Sequence, residues 1–301
     1  MKTMLVTGGT VFVSRYTAGY FARRGWQVTV LNRGTRPQPE SVALIKADRH
    51  QLGDALKGRH FDAVLDVTAY TAQDVNGLLD ALDSYGQYIL ISSSAVYPET
   101  APQPFTEETP VGANSVWGLY SIGKVRAEQA LQQRDPGAYI IRPPYLYGPM
   151  NNLYREAFVF DCALQKRPFY LPGDGSMQLQ FFHIHDLCRM MEKLLDEKPV
   201  QQIWNAGNPQ TISVREWVRL CYAACGKQPE FVEVHEKDLD PRAYFCFRNY
   251  EYRLDVHKQC ALMDGLKPLD EGLQEALAWY QQHMDDVIRK PLMDIIDSGL
   301  R

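Results

Sequence analysis

The sequence predicts an α/β protein with a doubly wound parallel sheet and a smaller, mixed C-terminal domain. Three observations predict it. Short, wholly apolar runs alternate with helix-like stretches through the first half, the pattern of parallel strands covered on both faces. A glycine turn, Gly8-Gly9, directly follows the first of those runs. After Tyr147-Gly148-Pro149 the alternation loosens, and Pro168, Pro172, Gly173 and Gly175 interrupt the chain.

Each element has its own reason. Met4–Thr7, Val28–Leu31, Ala43–Ala47, Ala63–Val67, Tyr88–Ser92 and Ala138–Arg142 are short apolar runs and read as strands. Tyr16–Arg24 reads as a helix stopped at Gly25. Gln73–Ser84 carries Leu78, Leu79 and Leu82 on one side and reads as a second, and Ser121–Arg134 as a third. Helical crossovers between parallel strands are right-handed, which winds the sheet in both directions. Beyond residue 149, Phe181–Ile184 reads as a strand, and Leu187–Leu195, Val214–Cys225 and Leu273–His283 as helices. The expected division is 1–149 plus about 176–207 for the sheet domain, with about 150–175 plus 208–301 for a substrate domain.

Bulk properties exclude several function classes. The 301 residues carry a formal net charge of -4, so no basic footprint for nucleic acid or an anionic membrane is present. No apolar run approaches the roughly 18 residues a membrane span needs. Cys162, Cys188, Cys221, Cys225, Cys246 and Cys260 lack metal-ligand spacing. Reduced thiols without a signal-peptide pattern suggest the cytoplasm.

The turn VTGGTVFVSRY, residues 6–16, is the first candidate site. In a dinucleotide turn three spaced glycines permit the bend, the approach of the pyrophosphate and close helix packing. Here Val11 and Ser14 hold the second and third positions. The helix that follows still offers unpaired N–H groups and a positive dipole end to phosphate, so Gly8, Gly9, Thr10, Val11, Phe12 and Val13 are cofactor candidates. Asn32-Arg33 ends the second strand where an adenosine ribose would lie. Asn32 can bond a hydroxyl and Arg33 can pair with a 2′-phosphate, which favours NADP over NAD modestly. Asp48-Arg49 is placed to meet adenine, and Thr68-Ala69-Tyr70 to line the cofactor cleft.

The sharper signal is YILISSSAVY (88–97) followed by YSIGK (120–124). Tyr120 and Lys124 are four apart and share a helix face. A phenol is a poor base at neutral pH because its reference pKa is about 10, and a neighbouring ammonium lowers it. A strand-end serine can hold the substrate oxygen, and the lysine can also bond the nicotinamide ribose. Together they suit hydride exchange between alcohol and ketone.

With the TGG turn, SSSAVY, YSIGK, IIRPPYLYGP (140–149) and FFHIHDL (181–187), the chain resembles extended short-chain dehydrogenase/reductases. These are the NAD(P)-dependent nucleotide-sugar epimerases and dehydratases, with a Rossmann-like fold. The resemblance covers nearly the whole chain. It implies Ser93 as the active-site hydroxyl with Ser94 as fallback, Tyr120 as general acid/base, Lys124 as its partner, and Ser92, Pro143 and Tyr145 beside the cofactor. Tyr145 would also open onto substrate.

The C-terminal half looks closest to a divergent branch that contains the chloroplast stem-loop-binding proteins, a plant group lacking the tyrosine of YxxxK. This chain has that tyrosine. Ser94-Ala95 stand where the 4,6-dehydratases place an Asp-Glu pair, which argues for epimerisation or keto-reduction over dehydration. Leu179 replaces the family's phosphate-binding arginine, and Arg248 could substitute. Asn151, Asn152, Gln178 and Gln180 could bond sugar hydroxyls. His183 and His185 form a tempting pair, yet the resemblance makes His183 structural and lets Asp186 start the next helix, so no metal is expected. Family members often pair through two helices; Gln73–Ser84 and Ser121–Arg134 could form a homodimer, and a monomer fits equally. The rival expectation is a non-catalytic protein of the same fold that senses NADP or binds RNA.

Overall fold

The computed structural model describes residues 1–236 and 239–299. The chain begins β1 (Thr3–Thr7), α1 (Phe12–Arg23), β2 (Gln27–Asn32), β3 (Ala43–Lys46), β4 (His60–Asp66), α2 (Ala72–Ala81) and β5 (Ser84–Ile91). It continues through α3 (Leu119–Arg134), β6 (Tyr139–Arg142), β7 (Tyr145–Tyr147), α4 (Glu156–Leu164), β8 (Phe169–Pro172), β9 (Gln178–Leu179) and β10 (Phe181–His183). Then follow α5 (Ile184–Glu197), β11 (Ile203–Asn205), β12 (Ile212–Ser213), α6 (Val214–Ala224), β13 (Phe231–Val234), α7 (His257–Leu262), α8 (Leu269–Gln282) and α9 (Leu292–Asp297). Among the described residues no helix is long and apolar enough to cross a membrane.

The first compact unit comprises Met1–Pro144, Ile184–Pro209 and Leu254–Leu266. Its seven-stranded sheet has the order β11-β6-β5-β4-β1-β2-β3, with every neighbouring pair parallel. The winding reverses between β1 and β4, so their C-terminal ends frame the crevice where such sheets bind ligands. Leu5, Val64, Tyr88, Leu90 and Ile140 from the strands join Val75, Leu78, Ala127 and Leu131 from α2 and α3 in one buried core. This is the predicted doubly wound, Rossmann-like sheet.

The second unit comprises Tyr145–His183, Gln210–Arg253 and Lys267–Arg301, of which 237, 238, 300 and 301 lie outside the described residues. It holds three two-stranded pairs, β7 with β10, β8 with β13 and β9 with β12. Helices α4, α6 and α8 pack on one another. An aromatic core joins Phe181, Trp217 and Phe247, with the Phe181 and Trp217 rings stacked at 5.6 Å.

Several boundaries differ from the sequence expectation. Gln73–Ser84 is not one helix: α2 ends at Ala81, and Ser84 already pairs with His60 as the first residue of β5. Asp186 does not start its helix, because α5 begins at Ile184 and Asp186 lies in its first turn, bonded to Arg189 at 3.0 Å. Residues 254–266 group with the sheet unit because Leu254 bridges Phe105 and Asn205 donates to the Asp255 carbonyl at 3.1 Å. Tyr145–Tyr147 leaves that unit because it pairs with Phe181–His183 instead of the central sheet.

Candidate active site

The Gly8-Gly9 turn keeps a tight strand-to-helix geometry despite Val11. Gly8 and Gly9 have φ of +92° and +91°, the left-handed region that only glycine enters freely. A Cβ on Gly8 would lie 2.8 Å from Ser14 Oγ and 3.0 Å from the Thr68 methyl, and one on Gly9 would collide with Val30. Ser14 therefore packs into the place that a third glycine serves in related turns; its hydroxyl donates to the Val11 carbonyl at 3.0 Å. Val11, in extended backbone, is the N-cap of α1; it supplies no side-chain cap, and the first turn holds no acid. The first N–H groups of α1 are thus left for an external acceptor. Phe12 is buried, so only its backbone is on offer.

Asn32 is committed to this turn. Its Nδ2 donates to the Gly8 carbonyl at 2.6 Å, and its Oδ1 accepts from the Gly34 amide at 2.8 Å. It shapes the loop as a brace, which corrects the expectation of an open hydroxyl-binding amide. Arg33 beside it is exposed and pairs with no carboxylate among the described residues.

Arg49 is also a correction. Its guanidinium bonds Asp66 at 3.0 and 3.2 Å, Thr68 Oγ1 at 2.8 Å and the Asp74 carbonyl at 2.8 Å, so it faces protein instead of adenine. Asp66, fully buried at the end of β4, also accepts from Thr7 at 2.7 Å and Tyr88 at 2.6 Å. Burial pushes its carboxyl pKa up, but the Arg49 charge outweighs that and holds it below the ordinary value. Asp48 accepts its own loop's His50 amide at 3.0 Å. This buried cluster ties the loop after β3 to the ends of β1 and β4 and fixes the segment Thr68-Ala69-Tyr70. The sequence reading had Arg49 as a cofactor contact and did not single out Asp66.

The proposed acid/base pair lies on α3, one turn apart. Tyr120 is 39% exposed, whereas Lys124 is 2% exposed. The Lys124 Nζ donates to Ala69 O at 2.7 Å and Ile91 O at 2.9 Å, and sits 4.9 Å from the centre of the Tyr70 ring. Burial lowers its pKa from 10.5 to about 8, against the opposing pull of Asp66 and Glu128. The Tyr120 ring lies 6.2 Å from Tyr70 and 6.4 Å from Trp117.

Ser93, two residues beyond the Ile91 carbonyl, caps a short 3-10 turn by accepting the Ala95 amide at 3.2 Å. Its own hydroxyl proton stays available to donate. Ser94 is buried, with its amide on the Pro143 carbonyl at 3.0 Å. Ser92 is corrected: its hydroxyl donates to Glu128 at 2.5 Å, inside the buried Glu128–Arg142 ion pair at 2.6 Å, and is not offered to a cofactor.

In the second unit the expected sugar-binding amides are mostly spent. Asn151 donates to both Glu156 oxygens at 3.0 and 3.2 Å and accepts from the Leu153 amide, which makes it a loop brace. Gln178 donates to the Ser176 carbonyl at 2.9 Å, and Gln180 is buried. The Asn152 carbonyl accepts from Ile288. Tyr145 is buried, which pushes its phenol up to about 12, and its ring packs on Phe247 at 4.6 Å. Arg155 lies over both rings, at 5.0 and 5.7 Å.

Arg242, close to Arg155, donates to the Cys246 carbonyl, and its pKa is lowered by burial with the like charges of Arg248 and Arg155 adding to it. Lys290 is lowered by burial and by Arg242, Arg155 and Arg248. Among the described residues Arg242 and Lys290 have no carboxylate partner, whereas the Arg155 charge acts on the buried Glu156 beside it. Of this group the sequence reading had only Arg248. His183 is buried with its ring 3.6 Å from Glu275, and no cluster of metal-ligating side chains occurs among the described residues.

Residues 4–207 match the family model described as NAD dependent epimerase/dehydratase family. The chain belongs to that family. Among the relatives of this family member, the 41 kDa chloroplast stem-loop binding protein b of Arabidopsis thaliana is 29% identical over 91% of this chain and 78% of its own. The dTDP-4-dehydro-6-deoxy-D-allose reductase of Streptomyces bikiniensis is 23% identical over 94% and 97%. The solved dTDP-glucose 4,6-dehydratase of Bacillus anthracis, in complex with NAD, superposes with a TM-score of 0.76 at 20% identity, over 97% of this chain and all of that one. As an epimerase/dehydratase family member the chain has the extended short-chain dehydrogenase/reductase fold that its sequence motifs announce.

Proposed function

We propose that the protein is an NAD(P)-dependent oxidoreductase or epimerase acting on a secondary hydroxyl of a nucleotide-linked sugar. The observation that carries this reading is the Lys124 ammonium, buried and held on two strand-end carbonyls, one turn from an accessible phenol. A lysine this buried is costly unless its charge is used, and perturbed lysines cluster at functional sites. The glycine turn and uncapped α1 fit a dinucleotide diphosphate, and the nicotinamide supplies the hydride acceptor or donor when bound. Arg33 favours NADP because an unpaired guanidinium at the end of β2 suits a 2′-phosphate.

The chain's own residues handle the proton. Ser93 Oγ–H donates to the substrate oxygen and orients it. Tyr120 Oη takes the hydroxyl proton in oxidation and returns it in reduction. Lys124, cationic below about pH 8, stabilises the phenolate. Ser94 and Ala95 are buried and carry no acid, so water elimination has no proton donor there. The mutually repelling cations Arg155, Arg242 and Lys290 support a diphosphate-bearing substrate in place of the arginine that Leu179 replaces, since clustered like charges favour an anion.

Tyr120→Phe tests the reading. Turnover with sugar nucleotides should fall about 10²–10⁴-fold while cofactor affinity stays unchanged. Wild-type turnover in that variant refutes the mechanism. The second reading, an RNA-binding protein, is favoured by the similarity to the Arabidopsis stem-loop binding protein. Against it stands the net charge of -4. Salt-sensitive RNA binding without hydride transfer would decide for it.

A further inference from the structure

Gly123 precedes Lys124 in the YSIGK helix, and nothing local calls for glycine there. It lies inside α3, where glycine is a poorer helix former than alanine, and its φ is not positive. What calls for it is a close approach. A Cβ on residue 123 would collide with the Tyr70 carbonyl oxygen. On Gly77, inside α2, a Cβ would have nothing nearer than the Arg49 carbonyl at 3.9 Å. The carbonyl just before that of Tyr70, on Ala69, is one of the two that hold the Lys124 ammonium, at 2.7 Å. Side chains clamp the same segment. Arg49 donates to Thr68 Oγ1 at 2.8 Å, and Asp74 Oδ2 accepts the Tyr70 and Thr71 amides, each at 2.9 Å. Arg49 and Asp74 are themselves paired at 3.3 Å.

We propose that Gly123 is a positioning residue for Lys124: its missing side chain lets the segment 68–71 seat against α3, so that the Ala69 carbonyl meets the ammonium. The inference deepens the oxidoreductase reading and rests on it for the use made of that charge. A lysine head sits on a flexible stem, so a buried one is placed by its acceptors. The two acceptors differ. Ile91 ends β5, inside the central sheet, whereas Ala69 lies in the loop after β4. A methyl at residue 123 displaces the loop carbonyl and leaves the sheet carbonyl where it is. The charges that act on Lys124 stay in place: Asp66 from β4, Asp74 from α2 and Glu128 from α3 favour the ammonium, and Arg49 opposes it. Hydrogen bonds to a charged form favour that form, so an ammonium that loses the Ala69 carbonyl gives up its proton at lower pH. The Tyr120 phenolate then loses its cation at neutral pH.

The test follows Lys124 in the full chain by NMR titration of isotope-labelled lysine side chains, with Lys124→Met assigning the signal. The wild-type midpoint should lie at about 8. Gly123→Ala should lower it by about one pH unit, the order of one hydrogen bond to a charged group. Gly77→Ala adds the same methyl to α2, where there is room, and should leave the midpoint unchanged. A thermal melt confirms that the variants fold. A Gly123→Ala midpoint within about 0.3 pH unit of the wild type overturns the proposal. So does a rise towards 10.5, because burial alone would then have held the lysine. A shift in Gly77→Ala as large as that in Gly123→Ala overturns it too. Should Gly123→Ala not fold, Thr68→Val decides, since it removes the Arg49 bond and keeps every charge: a lowered midpoint supports the proposal, and an unchanged or raised one overturns it. The titration needs no turnover, so the expected shifts without hydride transfer would sink the oxidoreductase reading and leave the positioning role standing.

Discussion

Lys124→Met should change the pH dependence of stability by an amount the structure sets. Burial depresses the lysine from 10.5 to about 8. The folded protein therefore carries a penalty wherever the unfolded chain is protonated. That penalty is largest below pH 8, where the folded state too must hold the charge, and it fades as pH rises from 8 to 10.5. A shift from 10.5 to about 8, at about 1.36 kcal/mol per pH unit, makes the full penalty about 3 kcal/mol.

Linkage between pH 7 and pH 9 then releases about 1.3 kcal/mol of it. Methionine fills similar volume without titrating, though it leaves the Ala69 and Ile91 carbonyls without a donor at a cost of about 1–3 kcal/mol each, at either pH. The assay is urea unfolding of both proteins at both pH values. The wild type should gain about 1.3 kcal/mol on the variant between pH 7 and pH 9. Every other titrating group cancels in this double difference. Equal pH dependence in the two proteins refutes the claim that the ammonium is held against burial.

Two further outcomes are expected. Arg49→Met leaves Asp66 charged and without its counter-ion at 0% exposure, held only by Thr7 and Tyr88, and should cost about 3–5 kcal/mol in urea unfolding at pH 7. Because the Asp66 pKa is lowered in the fold, the pair's contribution is present above the unfolded value of 3.8 and lost as pH falls through the lower folded value, so the gap should narrow in acid; a gap that widens would contradict the pairing. Arg33→Ser should weaken NADP binding about 10-fold and leave NAD binding within about 2-fold, read by fluorescence titration. Equal losses for both cofactors would remove Arg33 from the 2′-phosphate.

The strands of the sheet, the glycine turn and the YSIGK helix were legible because each is a local pattern. An apolar run of five residues buried on both faces is a strand wherever it falls. Tyr120 and Lys124 share a face because a helix repeats every 3.6 residues. Boundaries were less legible where polar residues join neighbouring elements, as at Ser84, which starts β5, and Asp186, which lies inside α5. Side-chain commitments were the least legible. Asn32, Arg49, Ser92 and Asn151 all carry groups suited to a ligand, and all are spent on protein partners far along the chain or across a loop. Tyr70 was expected only to line the cofactor cleft, and its close approach to Gly123 of α3 was not legible in the sequence.

From sequence alone, then, came the sheet and the family, with Ser93, Tyr120 and Lys124 as candidates for the site. The tertiary structure decided which polar groups are already satisfied, how deeply the ammonium is buried, and which rings stand next to the phenol. The physical reason is range: strand and helix patterns are written in residues a few places apart. Hydrogen-bond satisfaction and burial instead depend on which distant segments the packed chain brings together.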